Sequence, residues 1–557
     1  MKKFVSMLLA AALSVGCLAI GASCKPKKNI VKDPQTINVK LYKAGFGDEF
    51  LYEFADKFNA AFSKQGYKIN IVSALYETAG EKVLQEMYQG YEENQIDLYI
   101  TGALTPFQLG PNSEYGESAT DLRELVFNQP VINYDGSYAE DTVGDRFHPD
   151  LVPFLCDENG KMYGVAWAQT SAGMVVNTQK LAKYGVTELP RTTNELFEIF
   201  DIIYNGNGTV AGSNTTKTYP LTYTLDKGVT YQNSAFLTWF AQYDVETYNE
   251  FLRMQTKTGS NTWTNMSNGY EVFDNSDLVD TFEAGFHLLD SKYAAAGSDQ
   301  NKLDQAQALI MKAANGTNNA VFMLNGDWFL NEVKANYSEN LNQIAFMNVP
   351  VISALGVKVF GVGTKYALSD EECDELLSYM VKLVDENKTI EEISTAVEED
   401  FDIALDKEDV ERIAQARGVC FARGIEHLAI IPKDSTKKNI AALALRMMAS
   451  EDFARTFINL ANATSPYAQN LNVTSRYSFV NQAQTLVTSR YFSPINSRVQ
   501  GLRFKVLATD AILPHVTDTK LTFTLINRAA NTSYRNAAIS LVSEARKKAA
   551  EKWNAYF

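Results

Sequence analysis

Side chains able to do covalent chemistry are few and scattered in this chain. His148, His287, His427 and His515 lie far apart and in no metal-ligand spacing. No H-E-x-x-H, G-x-S-x-G, Walker or G-x-G-x-x-G stretch occurs. Carboxylates are plentiful, but nothing in their order sets two of them about 5–10 Å across a cleft, as glycoside hydrolysis requires. Cys156, Cys373 and Cys420 are widely spaced, which is neither a disulfide framework nor a zinc pattern, and buried thiols are expected. What the chain does offer is aromatic and polar. Trp167, Trp239, Trp263 and Trp328 fall within one half of it. Indole and phenol faces pack against the apolar faces of sugar rings, while Asp, Glu, Asn and Gln bond the hydroxyls. Core packing is the competing use of these rings. Trp167 and Trp328 stand out because each sits where a strand ends among polar neighbours: Gln169 and Thr170 for one, Asn325 and Asp327 for the other.

The elements that must position these residues follow from periodicity. Asp157 to Leu181 reads as a hairpin at Asn159-Gly160, then a strand with Tyr163, Val165 and Trp167 on one face. A short polar joint follows at 169–173, and a second strand starts at Met174. That is a strand leaving one lobe, a crossing, and a strand entering another. Before it, TINVKLYKA from Thr36, INIVSAL (69–75) and IDLYITG (96–102) are strands. Phe50, Phe54, Phe58 and Phe62 recur every four residues on an intervening helix. The order β-α-β-α-β predicts a parallel sheet whose ligands lie beyond the carboxyl ends of the strands, at 44–48, 76–80 and 101–106. Further strands are expected at 320–328, 344–351 and 427–432. Helices are expected after the Thr192–Glu195 capping box, at 436–449 and 451–462, and from about Tyr534 to Trp553.

Charge and targeting signals add a setting. The formal net charge of −15 argues against a nucleic-acid surface. Between Asp370 and Glu411 stand 17 acidic and 3 basic residues, a balance of −14, within a helical segment (366–418) that opens its helices with capping boxes at Ser369 and Thr389. A solvated helical insertion or a docking surface both fit that segment. At the N-terminus, Lys2 and Lys3 precede an apolar run from Phe4 to Ile20, and small residues then meet Cys24. This is a signal peptide (1–23) ending in a lipobox-like site, with Cys24 as the lipidated residue and Cys17 as a competing one. A polar tether (24–35) follows.

The order of these pieces resembles the extracellular solute-binding proteins of bacterial carbohydrate ABC importers, the group that includes maltose-binding protein. The matching stretches are the lipobox-like leader, IDLYITG, DENGKMYGVAWAQTSAGMVVNTQKLAKYGV with LPRTTNELFE, AVFMLNGDWFLNEV, and IIPKDSTKKNIAALALRMMASEDFARTF. Ile96 stands where the family usually has Pro, the acidic block is extra, and 470–557 has no counterpart. The resemblance implies an α/β, two-lobed periplasmic-binding-protein-like fold with hinge crossings and a helical insertion. Its lobes would be 36–168 with 427–450, and 169–426 with 451–557. It implies a sugar or oligosaccharide bound between them, no cofactor, no chemistry on the ligand, and delivery to a membrane permease by a lipid-anchored monomer on the outer face of the cytoplasmic membrane. Carried over by position, the ligand-binding candidates are Phe46, Asp48, Glu77, Thr101, Trp167, Gln169, Thr170, Trp239, Asp327 and Trp328, while Asp97 is expected to bond local backbone. An exported carbohydrate-active enzyme and a sensory or structural lipoprotein remain the alternatives.

Overall fold

The structure is a computed structural model. It describes residues 29–496 and 533–556, apart from 43–44, 76–79, 103, 112, 114–115, 158, 208–216, 225–228, 254, 260–262, 267, 296–297, 299–301, 313–317, 423, 468–470 and 472. The leader, Cys24 and Glu77 therefore lie outside the described residues.

The chain opens with β1 (Thr36–Tyr42), α1 (Glu49–Ala61), β2 (Lys68–Leu75), α2 (Gly80–Tyr88) and β3 (Leu98–Ile100). β1 pairs in parallel with β2 and β3, as the β-α-β-α-β pattern requires. Phe50, Phe54 and Phe58 are fully enclosed, so the four-residue spacing reports the buried face of α1. Asp97 ties this sheet together. Its carboxylate accepts from the Asn38 amide (2.8 Å), the Tyr91 hydroxyl (2.7 Å) and the Ser435 hydroxyl (2.8 Å), with the Lys437 ammonium 3.4 Å away.

The expected hairpin at Asn159-Gly160 does not form. The segment before it is a short helix, Val152–Leu155, and only Gly160 takes a positive φ (+76°), whereas a type I′ turn needs two such residues. Asp157 is the reason: its carboxylate accepts the amides of Asn159 (2.9 Å) and Lys161 (2.8 Å) and shapes the turn locally. β4 (Val165–Ala166) then joins the first sheet, and β5 (Ser171–Asn177) lies in a second one.

In that second sheet β5 is central. It pairs with β7 (Asn319–Gly326), with β8 (Ile344–Met347) and, at its start, with β9 (Val419–Ala422). Parallel to β7 lies β6 (Thr218–Thr222). Around the sheet pack α3 (Thr193–Gly206), α4 (Val229–Tyr243), α5 (Ser276–Leu288), α6 (Leu303–Met311) and α7 (Phe329–Tyr337). The acidic segment is three helices, α8 (Asp370–Asp385), α9 (Ile390–Phe401) and α10 (Lys407–Gly418). Both capping boxes are made. Most acidic side chains face outward, with Asp374 turned inward to accept from Thr192 (3.0 Å), while Leu376, Leu377, Met380, Ile393, Val397, Val410 and Ile413 join the second core.

After β9 the chain returns to the first sheet as β10 (Leu428–Ile430), which pairs antiparallel with β3 and β4. α11 (Lys438–Met448) packs on that sheet's core. α12 (Glu451–Leu460) faces both sides: Phe453 and Phe457 enter the first core, Ala454 and Ile458 a cluster with α7. α13 (Ser478–Thr488) and β11 (Ser493–Ile495) belong with the second sheet. The closing helix α14 (Tyr534–Tyr556) lies along α5, where Arg535 pairs with Asp280 and Glu283, and Tyr534 stacks on His287. The described parts of 470–557, unmatched in sequence, thus pack with the second sheet and its helices.

Candidate functional site at the crossings

The chain passes between the two sheets at 167–170, at 424–427 and again after α12. Each passage is stitched to its neighbours by backbone bonds. The Trp167 amide donates to His427 O (3.0 Å), the Gln169 amide to Thr464 O (3.0 Å), and the Thr101 amide to Leu428 O (2.9 Å). Asp327, just past β7, donates its amide to Ser171 O (3.0 Å). Side chains add to this. Thr464 Oγ1 contacts Asp327 Oδ2 at 2.7 Å and also Gln169 O. Asn331 and Asn462 bond each other across the third passage, and Asn496 bonds Ala422 O and the Glu426 carboxylate.

Several polar atoms here are buried without a protein partner among the described residues. They are Gln169 Oε1 and Nε2, Thr170 Oγ1, Asn325 Nδ2 and Asp327 Oδ1. Native cores pair nearly all such groups, so a concentration of them at one place marks a site that a hydroxyl-bearing ligand or water satisfies. Burial raises the Asp327 pKa to about 7. The Thr464 hydroxyl and the amides of Ser171 and Asp327 oppose that rise.

The expected aromatic contributors divide. Trp167 is fully enclosed. Phe50 stacks on it (5.8 Å, 13°), Phe46, His427 and Phe457 meet it edge-on, and its Nε1–H donates to Thr101 O (2.7 Å). No ring face is left for a sugar, so the stacking role expected for Trp167 gives way to packing. The same holds for Phe46, buried against Trp167 and His427. Trp239 is buried in the second core with its Nε1–H on Pro350 O (3.0 Å). Thr101 serves through its backbone, as the acceptor for Trp167. Asp48 is the partly exposed residue before α1, and its carbonyl accepts the first helical amides. Trp328 differs from all these. It retains 8% exposure, lies over Gly326, where a Cβ would come within 2.1 Å of its ring, and meets Tyr231 at 5.7 Å.

The structure therefore brings Gln169, Thr170, Asp327 and Trp328 together, and commits Trp239 to core packing. It adds Thr464 and Tyr231, which sequence reasoning did not single out. Thr464 sits between helices in ANATSPY with nothing local to mark it, since its partner is 137 residues away. Tyr231 stands near the start of α4, and its proximity to Trp328 has no sequence signal.

No protein-family model matches the sequence, and no curated protein matches it. Solved structures do. The apo-form of RafE from Streptococcus pneumoniae aligns with a TM-score of 0.54 at 11% identity, covering 92% of this chain and 97% of that one. A chitin oligosaccharide binding protein aligns at 0.52 and 13% identity, covering 93% and 100%. The bacterial solute receptor AcbH, described as preferring β-D-galactopyranose, aligns at 0.53 and 11% identity, covering 92% and 97%. The chain has the two-lobed α/β fold of these solute-binding proteins. The similarity extends over more than nine-tenths of it, the C-terminal region included.

Proposed function

We propose that this chain is a solute-binding protein that takes up a sugar or oligosaccharide between its two lobes and passes it, unaltered, to an ABC importer permease. One observation carries the reading. Gln169, Thr170, Asn325 and Asp327 present unpartnered, buried hydrogen-bonding atoms at the crossings of a fold shared with sugar-binding receptors. Trp328, which follows Asp327 in the chain, forms an aromatic pair with Tyr231. Amide, hydroxyl and carboxyl hydrogen-bonding groups with an aromatic pair in the same region suit a polyhydroxylated ring. The lobes in this reading are 36–168 with 427–450, and 169–426 with 451–557, closing by hinge motion at the crossings. Lipidation at Cys24 would hold the monomer on the outer face of the membrane, within reach of the permease. No helix of the described residues is long and apolar enough to cross a membrane.

Thermal unfolding against a panel of mono- and oligosaccharides tests this, with chromatography of the recovered glycan. A true ligand at 100 times its dissociation constant adds about 2.7 kcal/mol of stability. A stabilising glycan recovered intact supports the proposal. A cleaved glycan replaces it with an enzyme, and a panel without any stabilising member overturns it in favour of a non-transport lipoprotein.

A further inference from the structure

Thr464 Oγ1 lies within hydrogen-bond distance of two acceptors, Gln169 O and Asp327 Oδ2 (2.7 Å). A hydroxyl has one hydrogen. If Asp327 were ionised, these three oxygens would share that one hydrogen, and one of the two contacts would set lone pair against lone pair. A second hydrogen, on Asp327 Oδ2, resolves the count. Asp327 then donates to Thr464, and Thr464 donates to Gln169 O. The chain Asp327 O–H, Thr464 O–H, Gln169 C=O spans three segments: the end of β7, the passage after α12 and the first crossing.

From this proton count we propose that Asp327 is protonated in this structure and forms, with Thr464 and Gln169, a proton-operated latch on the lobe crossings. The latch holds while the proton is present and opens when it leaves. The surroundings agree. Among the described residues, Asp327, 1% exposed, has no ion pair and its Oδ1 has no hydrogen-bond partner in the chain, while the backbone amides of Ser171 and Asp327 weigh toward the ionised form. The titratable groups on the segments meeting here are Cys420 on β9, Glu426 and His427 on the second crossing, Tyr467 after α12, and Glu332, Lys334 and Tyr337 on α7, while Arg423 on the second crossing lies outside the described residues. Cys420 is a buried thiol pushed up to about 12, and so is neutral; Arg417, which acts on Cys420, is held by Asp385. Asn496 bonds the Glu426 carboxylate, Gln307 bonds Glu332, and the His427 ring lies against Phe46 and Trp167. Among the described residues, no cation acts on the Asp327 carboxyl. Burial gives the same direction, holding the carboxyl up to about 7.

The sign follows. The folded chain keeps this proton up to about pH 7, while the unfolded chain, with its carboxyl near 3.8, gives it up first. Between those values the folded state binds more protons, so this group's contribution to stability falls as pH rises and levels off above about pH 7. Asp327→Asn is the probe, because its amide N–H donates to Thr464 at every pH. The ratio of the unfolding constants of wild type and variant should climb by about tenfold per pH unit, the slope for one proton, up to about pH 7. In ligand-free wild type, protection of the Gln169 amide, relative to the variant at the same pH, should drop above about pH 7. A constant ratio across that range, or equal protection in the two proteins, overturns the latch. Should Asp327→Asn fail to fold, infrared spectroscopy decides. A carboxylic-acid carbonyl band that disappears near neutral pH in wild type, and is absent or shifted in Thr464→Val, supports the assignment. No such band overturns it. Neither readout needs a bound solute, so the latch can fail while the sugar-binding proposal stands, and the reverse.

Discussion

Trp167 and Gln169 are two residues apart and both fully buried, yet they solve opposite problems. Trp167 is surrounded by Phe46, Phe50, His427 and Phe457, and its one polar atom reaches Thr101 O. Every interaction it can make is made. Gln169 contributes its backbone to Thr464, but neither end of its amide side chain has a partner among the described residues. Gly424 presses close: a Cβ there would sit 2.3 Å from Gln169 Oε1. The chain thus passes from a satisfied aromatic core to an unsatisfied polar seam within one turn of backbone. Satisfied groups hold the lobes in shape. Unsatisfied ones are held ready for something else, at a cost in stability that a binding site accepts.

This contrast can be broken most forcefully at Trp167. Trp167→Ala should cost about 3–5 kcal/mol, as deletion of a large enclosed aromatic does, with the loss spread over both the core and the first crossing. Denaturant unfolding measures it. A loss below about 1 kcal/mol would mean that the ring is not enclosed, and would return Trp167 to the list of ligand-facing residues.

Lys180 tests the satisfied side with a charge. It is 1% exposed, and its ammonium donates to Leu309 O (2.7 Å), Ile310 O (2.8 Å) and Ala320 O (3.0 Å), which include carbonyls at the end of α6. Burial lowers its pKa to about 7, with Lys312 and Lys183 adding to the fall. Three carbonyls nonetheless engage three hydrogens, one more than a neutral amine has, so the site is built for the ammonium. Lys180→Met orphans those carbonyls and should cost about 1–3 kcal/mol near neutral pH. The folded pKa lies below the unfolded one, so between about pH 7 and about pH 10 the unfolded chain holds more protons. Wild-type stability relative to the variant should rise across that window. A fall there would show that the folded site raises the pKa instead.

Much of the frame was legible in the sequence. The spacing of Phe50, Phe54 and Phe58 reports a helix face, and Ser369 with Glu372 reports a helix start, because both are local rules of geometry. The crossing at 169–170 was visible because polar residues interrupt two apolar strands. What the sequence could not convey is occupancy. Strand alternation puts Trp167 on a face without saying that Phe50 already covers it. Asp327 and Thr464 meet across 137 residues, a pairing with no local trace. The Asn159-Gly160 hairpin failed for a third reason: the Asp157 side chain took the turn's amides first.

The smallest effect on stability is expected at Gln169, and it is the sharpest test of the seam. Gln169→Leu keeps the volume close and removes two polar atoms that bond nothing among the described residues. Removing an unpaired buried amide relieves a desolvation cost, so the ligand-free variant should be as stable as wild type or more so. Its affinity for whatever glycan stabilises the wild type should fall at least tenfold, since a site built to bond hydroxyls rejects poorly matched partners by leaving polar groups unpaired. Calorimetry and unfolding on the same two proteins separate the outcomes. A stability loss of several kcal/mol would mean that Gln169 has a structural partner in solution. Unchanged affinity would remove its side chain from the site and leave Asp327 and Trp328 as the residues to test. The expected pair of results, stability kept and affinity lost, is the signature of a side chain that the fold carries for its ligand.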